Sequence, residues 1–317
     1  MRILITGSRG LIGTETMRCL AEAGHRPVPF DIADEPETPG HGDIRDLEQL
    51  RRAMAGCDGV LSLAAVSRVI AGERNPELCW DVNVNGTEAV LRVALEQPAS
   101  RRPWVIYASS REVYGDSATL PVPEDAPLAP LNIYGRSKVA AEAAVGRARE
   151  AGLATAIVRF SNVFGSTADH RDRVVPAFAR AAATGGTISI EGAENTFDFT
   201  HVEDVGRGLA LLVECLKDGH RALPPIHYVG GRAVSLGELA EMAQAAALAP
   251  VEIRIAPPRN FDVAHFRGDP ARAEALLGWR AEIPVEDGLR RLIQAYAAEA
   301  TGQQPDSTRL AATASSR

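Results

Sequence analysis

The chain has 317 residues, 34 basic and 41 acidic, for a formal charge of −7; 45% of residues are hydrophobic and 24% charged. That balance suits one large or two closely joined globular units with ample core and excludes a mainly disordered chain. The acidic charge argues against a nucleic-acid partner, and no apolar run approaches the ~20 residues a bilayer crossing needs.

Residues 2–6 are β-branched and alternate, which predicts a strand, and the chain enters it directly from Met1, so no signal peptide is expected. A glycine-rich turn follows, then helical periodicity over 11–23 and a second strand at 26–30. A third strand is expected just before Asp43. A helix at 46–55, a buried strand at 59–63 and a long helix over 77–96, with Pro76 at its start, come next. Residues 103–108 read as a strand, 120–130 as a proline-rich functional loop, 134–151 as an alanine-rich helix and 154–160 as a strand. Strands alternating with helices predict an α/β fold with a doubly wound parallel sheet. Beyond residue 160 the rhythm changes. Helices are expected at 172–184, 203–216, 236–247, 270–277 and 284–299, with short strands at 187–190 and 226–229. Residues 301–317 are polar and aperiodic and predict a disordered tail.

Cys19, Cys57, Cys79 and Cys215 show neither metal-like nor disulfide-framework spacing, and the histidines form no HExxH. A reduced, cytoplasmic setting and no metal site are expected. Of the 34 basic residues only Lys138 and Lys217 are lysine, so a lysine here is unusually informative.

Gly7, Gly10 and Gly13 form GxxGxxG directly after the first strand and at the opening of a helix. Backbone N–H groups of Gly7, Arg9, Gly10, Leu11, Ile12 and Gly13 and the helix dipole can hold a pyrophosphate there. Asp31 ends the second strand, 18 residues after Gly13, where an acid binds the ribose hydroxyls of a dinucleotide. A carboxylate at that point repels a 2′-phosphate by about 3 kcal/mol per charge pair at ~5 Å and an effective dielectric of ~20. NAD is therefore expected over NADP, with Arg9 as a residue that could instead meet a phosphate. Asp43 and Ile44 are placed to face the adenine.

Tyr134 and Lys138 form YxxxK at the start of a helix, an i, i+4 pair on one face. Five tyrosines and two lysines predict roughly 0.03 such pairs by chance. A tyrosine is a poor base at neutral pH. A lysine charge ~5 Å away is expected to lower it by ~2 pK units, which makes Tyr134 a usable base for a hydroxyl. Ser110, with Ser109 at the carboxyl end of a strand, can hydrogen-bond the same oxygen.

With SSxxVYG at Ser109–Gly115, these motifs resemble the extended short-chain dehydrogenase/reductase family, and more narrowly its nucleotide-sugar epimerases and dehydratases. The similarity spans about residues 1–300 and includes Leu63-Ala64-Ala65, Asn83-Val84-Asn85-Gly86-Thr87, Arg159-Phe160-Ser161-Asn162, Asp198-Phe199-Thr200-His201 and Leu277-Gly278-Trp279. The resemblance implies a Rossmann domain over 1–160, with 197–229 returning to it, and a smaller substrate-binding subdomain from 161–196 and 230–300. It implies Ser110, Tyr134 and Lys138 as the catalytic set, with Leu63, Ala64, Ala65, Asn83 and Phe160 along the NAD. Ser67, Ser110, Arg111, Asn162, Val175 and Arg259 would contact a sugar nucleotide, and a homodimer would form through helices 77–96 and 134–151.

Three departures stand out. Ser62 replaces the usual His of HLAA, and Phe197 replaces the Arg of an RDF motif. Arg111-Glu112 follows Ser110 where the 4,6-dehydratases carry Asp-Glu. Arginine cannot protonate a leaving hydroxyl. Arg111 could bind a substrate carboxylate, Glu112 could act as a C5 base or contact a substrate hydroxyl, or the two could form a solvated ion pair. The leading expectation is a nucleotide-sugar 4-epimerase with a transient 4-keto intermediate. The alternatives are a dehydratase or uronic-acid decarboxylase using Glu112, and a non-catalytic dinucleotide sensor.

Overall fold

The computed structural model describes residues 1–257 and 263–302. The chain opens with β1 (Arg2–Thr6), α1 (Leu11–Glu22), β2 (Arg26–Phe30), α2 (Leu47–Met54) and β3 (Gly59–Ser62). It continues through α3 (Val69–Arg74), α4 (Pro76–Trp80), α5 (Gly86–Glu96), β4 (Trp104–Ser110), α6 (Ile133–Glu150) and β5 (Thr155–Phe160). Then come β6 (Asn162–Phe164), α7 (Val174–Thr184), β7 (Gly186–Glu191), β8 (Thr196–His201), α8 (Val202–Lys217) and β9 (Ile226–Tyr228). The last elements are β10 (Ala233–Ser235), α9 (Leu236–Ala245), β11 (Val251–Ala256), α10 (Ala271–Leu277) and α11 (Val285–Ala300).

Six strands pair in parallel in the order β2-β1-β3-β4-β5-β9. The chain winds one way from β1 to β2 and the other way from β3 onward, so a crevice opens where β1 and β3 end. Alternate side chains serve two cores. Ile3, Ile5, Leu61, Ile106 and Val158 pack under α1 and α8. Leu4, Val60, Val105, Tyr107 and Ile157 pack under α2, α5 and α6. Burial on both faces is why these strands read as almost unbroken apolar runs. A separate core, with Phe164, Phe178, Ile188, Phe199, Leu239 and Leu289, joins α7, α9 and α11 to a β10-β8-β6 sheet and a β11-β7 pair.

Several local expectations are corrected. The third strand is reduced to one parallel bridge, Asp31 to His41, because Pro36, Pro39, Gly40 and Gly42 break the ladder. The helix expected over 77–96 is α4 and α5 joined by a π-helical turn at Asp81–Asn85. Helix α3 and strands β6, β8, β10 and β11 were not foreseen; β6 and β10 have three residues each, too few for periodicity to register. The tail expected at 301–317 lies outside the described residues from 303 on. Among the described residues no helix is long and apolar enough to cross a membrane. No group of three or more His, Cys, Asp or Glu side chains among them could hold a metal ion.

Candidate active site

A cleft of about 790 Å³ runs along the carboxyl ends of β1 to β5 and under the second core. One end is the glycine loop. Gly7 has φ 72°, and a Cβ there would lie 2.7 Å from the backbone nitrogen of Ala64. A Cβ at Gly13 would lie 2.1 Å from the carbonyl oxygen of Gly7. Only glycine lets the loop, the 63–65 segment and the start of α1 close on one another. Gly10, the N-cap of α1, brings no side chain to cap it, so first-turn N–H groups remain for an anion.

Asp31 is fixed at the lip of this cradle. Its Oδ2 accepts from the Arg9 N–H (2.8 Å) and its Oδ1 from the Ala33 N–H (2.9 Å). The Arg9 guanidinium does not point to a free phosphate position; it is paired with Asp34. A 2′-phosphate would therefore meet Asp31 with the nearest cation already committed. NAD is expected to bind at least ~10-fold more tightly than NADP, from a repulsion of about 3 kcal/mol discounted for exposure. Parallel fluorescence titrations check this, and tighter NADP binding would contradict it.

Asp43, Ile44, Leu63, Ala64, Ala65 and Phe160 also line the cleft. Arg45 holds the Asp43 carboxyl below its ordinary range. Asn83 is the exception. It is buried, its Oδ1 accepts from the Val66 N–H (2.8 Å), and its Nδ2 donates to Ser137 Oγ (2.9 Å). Asn83 does not line the cleft; it ties the 64–66 loop to α6, because the π-helical turn carries it inward.

Ser110, Tyr134 and Lys138 come together at the cleft floor. Asn132 caps α6 by accepting from the Gly135 N–H (2.8 Å), which sets the first turn that carries Tyr134. Lys138 Nζ donates to the carbonyl of Ala108 (2.8 Å) and sits 5.7 Å from the Tyr134 ring centre. Burial pulls Lys138 down to about 8. Burial likewise pushes Tyr134 up to about 12, opposed by the Ser110 hydroxyl and the charge of Arg173. The net lowering expected for Tyr134 is thus corrected: with this chain's groups alone, loss of hydration sets the direction.

Beside Ser110 the sequence left Arg111 and Glu112 open. They form a buried pair, not a solvated one: Arg111 Nη2 lies 2.9 Å from Glu112 Oε1. Asn132 Nδ2 donates to Glu112 Oε2 (2.8 Å). The Arg111 guanidinium carbon stands 4.6 Å from the ring centre of Phe197. Ser67, Asn162 and Val175 also line the cleft, whereas Arg259 lies outside the described residues. The sequence reading missed Arg68, Asp169 and Arg173 on the cleft wall. It also missed Glu142, which accepts from Ser109 Oγ (2.5 Å) and pairs with Arg159 (2.6 Å) behind the catalytic floor. Asn132, likewise not singled out, did carry an advance signal: it is an N-cap residue type just before the helix.

Residues 3–228 match the model of the NAD dependent epimerase/dehydratase family. The chain belongs to that family. It is 28% identical over 311 residues to the UDP-glucose 4-epimerase of Halalkalibacterium halodurans, covering 90% of this chain and 92% of the relative. Among solved structures it resembles MoeE5 in complex with UDP-glucuronic acid and NAD, at a TM-score of 0.83 and 26% identity over 95% of this chain and all of that one. DesIV, the dTDP-glucose 4,6-dehydratase of Streptomyces venezuelae with NAD and TYD bound, gives 0.83 and 26% over 96% and 99%. The NAD dependence of the family agrees with the Asp31 reading, and the Rossmann sheet is shared with these enzymes. The glycine cradle, which any Cβ at Gly7 or Gly13 would obstruct, fits that cofactor.

Proposed function

We propose that this epimerase/dehydratase family member is a nucleotide-sugar 4-epimerase. The observation that carries the reading is the convergence of Ser110, Tyr134 and Lys138 on the floor of one cleft whose far end holds the glycine cradle and Asp31. NAD, held by the glycine cradle and Asp31, would supply the acceptor and donor of the sugar's C4 hydride. Tyr134 takes the O4 proton and returns it after the 4-keto sugar has turned over. Ser110 holds the same oxygen by a hydrogen bond. Lys138, anchored on Ala108, favours the tyrosinate by its charge. Residues 161–196 and 230–300 would form the substrate-binding subdomain, with Ser67, Asn162, Val175 and Arg259 on the nucleotide sugar.

Glu112 favours epimerisation over elimination or decarboxylation. Both its oxygens are already held, by Arg111 and by Asn132, which suits a positioning role better than that of a free base. The intact catalytic set and the family membership likewise favour an enzyme over a dinucleotide sensor. A cytoplasmic homodimer belongs to the same reading. Trp80 and Leu78 are 43% and 42% exposed beside α6, with Ala140 and Ala143 on its outer face while Ala144 turns into the core.

The test is a panel of nucleoside-diphosphate sugars followed by proton NMR and absorbance at 340 nm. The expected result is a C4 epimer with transient NADH, from a species of twice the chain mass by light scattering. Glu112→Gln should slow the reaction while leaving the product unchanged. A halt at a 4-keto sugar, or a product lacking water or carbon dioxide, would replace this reading with the eliminating or decarboxylating one.

A further inference from the structure

Arg111 holds a position that the reaction proposed above does not use. It directly follows Ser110, is only 8% exposed, and still lines the cleft. Its Nη2 is spent on Glu112. Its guanidinium is fixed between aromatic rings, 4.6 Å from the centre of Phe197 and 5.7 Å from that of Phe266. Its Nη1 is buried and has no hydrogen-bond partner. A buried charged donor left unpaired is costly, and more so against aromatic walls that admit little water.

The acids near Arg111 are already engaged. Glu112 also accepts from Asn132, so it cannot swing across to serve both nitrogens. Asp198 is held by the Gly230 and Gly231 N–H groups at 2.6 and 2.8 Å. Arg111 lines the cleft, so the side from which a bound substrate could complete it is the cleft side.

We propose that Arg111 receives a carboxylate on the sugar ring, so that the preferred substrate is a nucleotide uronic acid. This rests on the nucleotide-sugar reading above. The position of the residue decides which anion it meets. Ser110 and Tyr134 bracket the oxygen on C4, and the neighbouring carbon, C5, bears the group that distinguishes a uronic acid from a neutral hexose. The pyrophosphate, attached at C1, lies across the ring. A carboxylate offers a charged oxygen to Nη1, a charge-assisted hydrogen bond, whereas a hydroxymethyl group offers only a neutral one. Phe197 supplies the ring face that holds the guanidinium in place, where an arginine would repel Arg111.

Calorimetric titration of the NAD-loaded protein with UDP-glucuronate, UDP-glucose and UDP, and with the dTDP counterparts, tests this. The uronate should bind at least ~10-fold more tightly than the neutral sugar. Arg111→Gln should bring that ratio to within about twofold of unity, and Arg111→Lys should keep part of it because the charge survives without the planar group that holds Glu112 and Phe197. A wild-type ratio at or below unity overturns the proposal and needs no variant to fold. So does binding of neither sugar. If Arg111→Gln weakens UDP and both sugars alike, the guanidinium serves the pyrophosphate and the proposal fails. Product analysis on the same samples separates the two readings. Uronate selectivity without a C4 epimer sustains the carboxylate site and removes the epimerase reading. Epimerisation of neutral sugar without uronate selectivity does the reverse.

Discussion

Tyr134→Phe is expected to lower turnover at least ~10²-fold, the usual smaller scale for a positioned general base. Nucleotide-sugar affinity should change little, because one hydroxyl is removed from a ring that stays packed on the cleft floor. Stopped-assay turnover and equilibrium titration of the same preparation check the two halves. Near wild-type turnover would remove Tyr134 from the reaction. The pH profile adds a sign. Burial pulls Lys138 down to about 8, so its positive charge is lost as pH rises through that value. The charge favours the tyrosinate, and Tyr134 is pushed up to about 12 by burial, so turnover should fall on the alkaline side of about 8. In Lys138→Met the rate should be low throughout and that alkaline fall should disappear.

Glu142→Ala is expected to be the most destabilising single change behind the site. Glu142 and Arg159 are 7% and 4% exposed and meet at 2.6 Å. Arg159 also donates to Tyr114 Oη and to the carbonyl of Glu124, both at 2.7 Å, so it cannot relocate to water. Removing the carboxylate leaves a buried cation unpaired and costs about 3–5 kcal/mol. That is a large part of the ~5–15 kcal/mol of a typical domain. Urea unfolding followed by circular dichroism measures it, and a loss under ~1 kcal/mol would contradict the reading. Replacing both partners together, Glu142→Leu with Arg159→Met, should recover much of the loss, because no buried charge is then left over. Glu142 also raises Lys138, one turn earlier on α6. Glu142→Ala should therefore move the alkaline fall in activity to lower pH.

The sequence by itself determined the order of the sheet's helices and strands, the glycine cradle with Asp31, and the Ser110, Tyr134 and Lys138 set. Each of these is local: an apolar period, glycines at fixed spacing after a strand, or two side chains one helical turn apart. Only the tertiary structure decided the rest. The family resemblance set Asn83 along the NAD, and it is the π-helical turn that buries it against Val66 and Ser137. Arg9 read as a phosphate ligand until Asp34, brought in by the loop after β2, took its charge. Arg111 stacks on Phe197, and Glu142 pairs with Arg159, through contacts between different elements that no spacing rule encodes. The ionisation of Tyr134 and Lys138 turned on the same distinction. A pairwise charge is legible in an i, i+4 motif, but the loss of hydration that sets the direction for both groups exists only once the fold has closed around them.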